Sequence, residues 1–216
     1  MKKLCVLLFL VTTVALYAGG TTESQTSLGI QYANLSESQP IATIDVTTTL
    51  HSAGAFFKNN TFYNNNEKQG VFIIDSFLLP IGGTISASGE SASVSFKNAD
   101  LRVLIGLIIG PVYRFKLNNE TSLLLGFGPS FQELVVTTSY ASSLTLLMGA
   151  GADLCVQNRI SDSSFLSLGV TLEYDFAAWS STNNIEGWSS TDYSCFSIRP
   201  YLGVGFSKKT ITSRVE

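Results

Sequence analysis

Charge is scarce in this chain. Of its 216 residues, 13% are Asp, Glu, Lys or Arg, while 45% are hydrophobic. Soluble domains carry about 25% charged residues, so the balance is unusual. Histidine is scarcer still, with His51 alone, and the three cysteines are Cys5, Cys155 and Cys195. One His and two separated Cys make no metal cluster. No phosphate-binding Gly-Lys-Ser/Thr loop appears, and the glycines lie inside apolar stretches instead of opening a helix. Lys and Arg number 13 against 16 Asp and Glu, which is not the balance of a nucleic-acid binder. Beyond the N-terminus there is no apolar run of about 18 residues, so no transmembrane helix is available. High apolar content without such a run is what alternating strands in lipid produce.

Residues 1–18 read as a secretory signal peptide. Lys2 and Lys3 form its positive end, Leu4 to Leu16 its apolar core, and Ala18 the small residue at the cut, with a cut after Gly20 as the alternative. The core is too short to span a bilayer as an anchor. Cys5 precedes it, so Cys5 is not the modified cysteine of a lipoprotein. Losing the two lysines takes the formal charge from −3 to about −5. The strand reading below sets Cys155 and Cys195 near opposite ends of the structure, so free thiols are expected although export permits a bridge.

What the chain has in abundance is alternation. Residues 103–131, VLIGLIIGPVYRFKLNNETSLLLGFGPSF, read as two long strands around the turn Asn118-Asn119-Glu120. Asn tolerates left-handed backbone angles, which suits a tight hairpin. In the first arm Val103, Ile105, Leu107, Ile109, Pro111, Tyr113 and Phe115 share one face. Arg102, Leu104, Gly106, Ile108, Gly110, Val112, Arg114 and Lys116 share the other. Arms longer than ten residues suit bilayer-spanning strands, which need about 9–11. The density of Gly, β-branched and aromatic residues argues against helix.

Further strands follow by the same period. They are expected at Ser27–Asn34, Ile41–Phe57, Gly70–Ile81, Leu144–Gln157, Phe165–Trp179 and Tyr193–Phe206. The second strand carries Ile44, Val46, Leu50 and Phe56 on one face and Asp45, Thr47, Thr49 and His51 on the other. Residues 19–26 read as a polar leader. The Asn-rich 58–69 reads as a turn, and 35–40, 82–98, 135–143 and 180–192 as loops. The count is eight, or ten if 82–98 hides a hairpin. The fold class is therefore all-β: an eight-stranded antiparallel up-and-down transmembrane β-barrel over residues 19–206, with 207–216 as a tail. Closure matters because lipid offers no partner for an unpaired edge. A secreted soluble β-sandwich or lectin-like domain is the rival, and it predicts solubility without detergent.

If the uniform faces meet lipid, the mixed faces fill the interior. That places Arg102, Arg114, Lys116, Asp153, Glu173, Asp175 and Arg199 inside, with glycines making room for the long side chains. Arg114 and Asp153 fall near the 118–120 end and Glu173 and Arg199 further up, giving two ion-pair layers. Buried charges need partners, so a packed polar plug is favoured over a solute path, and either over catalysis. Aromatics at strand ends, among them Phe56, Phe57, Tyr113, Phe115, Tyr174, Phe176, Trp179, Tyr193 and Phe206, suit interfacial girdles. A His-activated serine needs both side chains on one face; Ser52, beside His51, points the other way. No catalytic residue, cofactor or metal is expected. Trp188 is a candidate loop anchor, although single exposed aromatics are common.

The signal peptide, the hairpin IGPVYRFKLNNETSLLLGFGPSF and the final strand SIRPYLGVGF resemble a small bacterial outer-membrane β-barrel protein of the OmpW/OmpX/OmpA-transmembrane type. The resemblance covers most of the mature chain as a pattern, not a signature. It implies the cell outer membrane, short periplasmic turns at 58–69, 118–120 and 158–163, and loops at 35–40, 82–98, 137–143 and 180–192 outside the cell. It implies outer-membrane lipid as a partner, and the barrel-assembly machinery during biogenesis. Phe206 is similar to the terminal aromatic which that machinery reads, yet ten residues follow it here. Either assembly tolerates them or Phe206 is a girdle residue. The functional expectation is a non-enzymatic narrow pore or transport channel for small or apolar solutes. The alternative is a surface adhesin or structural protein contacting host or matrix components through its loops.

Overall fold

The computed structural model describes residues 21–41, 44–63, 68–87, 90–94, 101–137, 142–182, 185–191 and 194–211. The expected signal peptide lies outside the described residues, as do Tyr193 and the side chain of Trp188. The strands are β1 (Thr21–Ile41), β2 (Ile44–Phe62), β3 (Gln69–Ala87), β4 (Glu90–Val94), β5 (Leu101–Lys116), β6 (Thr121–Thr137), β7 (Ser142–Arg159), β8 (Ser164–Thr182), β9 (Ile185–Thr191) and β10 (Ser194–Ile211).

Eight of them close a ring. Each neighbour pair is antiparallel, running β1-β2-β3-β5-β6-β7-β8-β10, and β10 returns to β1. The two short strands stand outside the ring: β4 pairs β3, and β9 pairs β8. Residues 82–98 thus do contain a hairpin, but it extends the wall and leaves the barrel at eight strands.

Burial alternates along the barrel wall, most regularly in β8 and β10. In β8, Phe165, Ser167, Thr171, Glu173 and Asp175 are buried, while Leu166, Leu168, Leu172, Tyr174 and Phe176 are exposed. In β10, Cys195, Ser197, Arg199 and Tyr201 are buried, and Phe196, Ile198, Leu202, Val204 and Phe206 are exposed. The exposed side chains form an apolar belt, which fits lipid and would be unstable in water. At the turn end the belt stops at a polar rim. There Asn59 donates from Nδ2 to Ser24 Oγ (3.1 Å) and Thr26 Oγ1 (2.9 Å), and Thr61 Oγ1 donates to Asn59 Oδ1 (3.0 Å). Among the described residues two acids interrupt the belt: Asp75 is exposed on β3, opposite Phe57 on β2 and Leu107 on β5, and Glu133 lies on the outer face of β6 between Ile105 and Leu146.

The structure corrects several sequence expectations. The leader 19–26 and the loop 35–40 are strand from Thr21 onward, so β1 is the longest strand at 21 residues. The turn at 58–69 is shorter, because β2 continues to Phe62. The tail is strand as far as Ile211, where it pairs with Thr21. Loops 135–143 and 180–192 lose residues to strand on both sides, and 82–98 loses 82–87 to β3 and 90–94 to β4. The faces of β2 are also exchanged. Phe56 is buried and packs on Tyr201, with ring centroids 4.5 Å apart. His51 lies on the outer face, bonded through Nδ1 to the Tyr32 hydroxyl at 2.7 Å. The physical reason is that the interior is not uniformly polar: an aromatic at that height has an apolar partner inside as well as lipid outside.

Candidate functional site

The interior is filled in tiers. Nearest the turns, the Arg114 guanidinium donates to both Glu23 oxygens, at 3.0 and 2.9 Å. The same guanidinium lies 3.9 Å from the Phe62 ring centroid. Gln25 Nε2 and Ser207 Oγ donate to Glu23 Oε1 at 2.9 and 3.1 Å. β1, β2, β5 and β10 thus meet at one ion pair.

The middle tier centres on Lys58, which is fully buried. Its ammonium donates to Asp153 Oδ2 at 2.5 Å and to the Tyr201 hydroxyl at 2.9 Å. Tyr201 donates in turn to Asp153 Oδ1 at 2.8 Å. Around this knot pack Phe56, Phe72, Ile108, Val112, Leu124 and Cys155. The section is therefore half ionic and half hydrocarbon.

Above it Arg199 reaches from β10 to Glu173 on β8 and donates to Gln132 Oε1 on β6 at 2.6 Å. Ser197 donates to Glu173 Oε2 at 3.2 Å. Asp175 accepts from Ser130 Oγ at 3.2 Å and from Gln132 Nε2. A side chain at Gly106 would put its Cβ 2.8 Å from the Arg199 guanidinium, so glycine there is what admits the arginine. The loop-end tier is apolar: Ala33, Leu35, Leu78, Leu104 and Cys195, with Leu50 and Leu134 against them. Bidentate and shared hydrogen bonds offset the cost of placing these charges away from water.

Of the residues expected inside, Arg114, Asp153, Glu173, Asp175 and Arg199 are buried. Arg102 is half-buried, on the inward face of β5 beyond Leu104. Lys116 is exposed and lines the mouth at the turns. Ion pairing differs from the two layers expected, because Arg114 and Asp153 each take another partner. Those partners, Glu23 and Lys58, fall in segments read from sequence as leader and turn. The signal that could have found them is charge balance, since interior Arg114 and Asp153 each required a counter-ion. Cys155 and Cys195 are both buried thiols outside any disulfide. Ser52 is buried and points inward, away from His51 on the outer face.

A closed ring of eight antiparallel strands, an apolar exterior and an ion-paired interior define the fold of a small outer-membrane β-barrel. Solved structures agree on the fold. The chain is similar to the outer membrane protein OprG from Pseudomonas aeruginosa, at 11% identity and a TM-score of 0.60, over 88% of this chain and 98% of that one. It is similar to Neisserial surface protein A at 12% identity and a TM-score of 0.53, over 87% and 98%. It is also similar to the outer membrane protein AlkL in lipid bilayers, at 12% identity and a TM-score of 0.53, over 92% and 95%. No protein-family model and no curated protein matches the chain.

Proposed function

We propose that this protein is a barrel without a continuous pore, which presents β-hairpins at its loop end to the surroundings. The interlocked middle of the barrel carries the reading. Arg114–Glu23, Lys58–Asp153 and Arg199–Glu173 cross the interior one above another, with hydrocarbon filling the space beside them. A hydrated solute has no lane past three such tiers. At the loop end the wall rises beyond what a bilayer needs. β1 and β2 pair without a break from Glu23↔Phe62 to Ile41↔Ile44, where about 9–11 residues suffice to span. With the added β3–β4 and β8–β9 hairpins this makes a rigid, Ser- and Thr-rich crown suited to contacting host or matrix components.

The test pairs conductance with attachment. Refolded protein in planar bilayers should give no long-lived open level. Cells displaying it should bind matrix-coated surfaces, and replacing residues 183–191 by a two-residue turn should reduce that binding. A steady ohmic conductance, or attachment that ignores the crown, would overturn the reading.

A second reading, passage of small apolar solutes, is favoured by one observation. The β3–β5 ladder stops at Leu78↔Leu104, and β4 joins β3 only from Gly83. Among the described residues Leu79, Pro80 and Gly82 pair on the β2 side alone, Ile81 bulges out of that ladder, and Pro80 has no N–H to offer. Behind this stretch Leu35, Leu50, Leu104, Leu134 and Leu147 line a small cavity. An apolar molecule entering there would leave sideways into lipid and never meet the ionic tiers. Uptake of an apolar fluorophore into vesicles should then fall in Leu104→Arg. Equal uptake with and without protein would eliminate this route.

A further inference from the structure

At the turn end the barrel holds a cavity of about 420 Å³ that neither reading uses. Its inner end is closed by the Arg114–Glu23 pair, with the Lys58 knot beyond. A solute entering between the turns meets a dead end, and such a cavity can retain a ligand but cannot pass one.

Its lining is chemically particular. Gln157, on β7, is 4% exposed, and its Nε2 has no acceptor among the described residues. Gln25, on β1, is 7% exposed; its Nε2 is held by Glu23, and its Oε1 receives no hydrogen. Buried amide groups left in this condition destabilise a fold unless something enters to pair with them. Both line the cavity, together with Arg114, Lys116, Arg159 and Lys209 and the carboxylates Glu23, Glu120 and Asp162. The cations outnumber the carboxylates four to three, and among them Arg159 stands exposed at the rim. The cavity thus offers one buried amide donor, one buried amide acceptor and a positive rim. The complement is a molecule with a carbonyl, an N–H and a carboxylate close together.

We propose that the turn-end cavity binds the carboxylate terminus of a short peptide or N-acyl amino acid. The carbonyl accepts from Gln157, the N–H donates to Gln25, and the carboxylate lies toward Arg159. The turns at 117–120 and 160–163 are the short ones, which puts the cavity on the periplasmic side. Binding here is separate from anything the loop end does, so the two proposals fail independently.

The experiment is a titration of refolded, detergent-solubilised protein watched through the ¹⁵N side-chain amide signals of Gln25 and Gln157. N-acetylalanine carries all three groups; acetate carries the charge alone, and N-acetylalanine amide lacks the charge. N-acetylalanine should move both signals saturably, and each partial probe should bind about tenfold more weakly or worse. Gln157→Leu and Arg159→Ala should each weaken binding by a similar factor. Arg159 is exposed, so its variant stays informative if Gln157→Leu does not fold. No saturable shift, meaning a cavity that holds water only, would overturn the proposal. So would equal binding of all three probes, or N-acetylalanine binding unchanged in Arg159→Ala.

Discussion

The most exacting residue in the molecule is Lys58. Its ammonium sits in a section otherwise made of Phe56, Phe72, Ile108 and Leu124, and its charge is tolerable only because Asp153 and Tyr201 hold it. Lys58→Met would leave the Asp153 carboxylate buried without a cation, at a cost of about 3–5 kcal/mol. Lys58→Met combined with Asp153→Leu removes both charges and should recover most of that loss. Urea unfolding midpoints in lipid vesicles check this, and a double variant no more stable than the single one would show the ion pair is not the source. Asp75 presents the opposite case, a carboxylate on the lipid face between Ile73 and Phe77 with no bonding partner among the described residues. Carboxylates on the lipid face destabilise barrels, though less than Lys or Arg does. Asp75→Leu should therefore stabilise the folded state by about 1 kcal/mol in the same assay. A loss of stability would instead show that Asp75 is held by something in the membrane.

At the scale of elements, the strands legible in the sequence were those whose two faces differ in hydrophobicity. β8 and β10 set aliphatic and aromatic residues against Ser, Thr and charge, so the period of two stands out. β1 was barely legible for a physical reason. Near the turn end its inward residues are Glu23, Gln25 and Ser27, and its outward residues Ser24 and Thr26 face the polar rim. Both faces are polar there, and no hydrophobic alternation exists to read. The end of β2 fails in the same way through Lys58, Asn59, Asn60 and Thr61. What compels these segments into strand is ring closure, a long-range demand that composition does not record. The end of β10 follows the same logic and yields a prediction. Ser207–Ile211 pairs with Thr21–Gln25, and the Ser207 hydroxyl bonds to Glu23 beneath Arg114. Truncation after Phe206 should open the lower β1–β10 seam and loosen that ion pair. The expected readout is a smaller fraction of unheated protein migrating as the compact form on a gel. A truncated chain that refolds as completely as the full one would show that closure is complete by Phe206.

At the scale of the whole molecule the interior is graded. Its turn end is polar and open, its middle is tied by ion pairs, and its loop end is apolar beneath an extended crown. The outer face is graded differently, with a single apolar belt and a polar rim at the turns. Among the described residues the added hairpins β3–β4 and β8–β9 both stand at the loop end, and the proposed orientation sets that end outside the cell. An epitope inserted between Thr182 and Ile185 should bind antibody on intact cells. The same epitope inserted between Asn119 and Glu120 should bind only after the outer membrane is permeabilised. The second insertion breaks the turn in which Asn118 Oδ1 accepts from the amides of Glu120 (2.8 Å) and Thr121 (2.7 Å), so its folding is first checked by heat-modifiable migration. Swapped accessibility would invert the barrel. It would move the open polar cavity to the cell surface and the crown to the periplasm, and would exchange the compartments in which the two proposed contacts are made. Access to both sites without permeabilisation, in protein that stays soluble without detergent, would remove the membrane altogether and leave the apolar belt needing a protein partner instead of lipid.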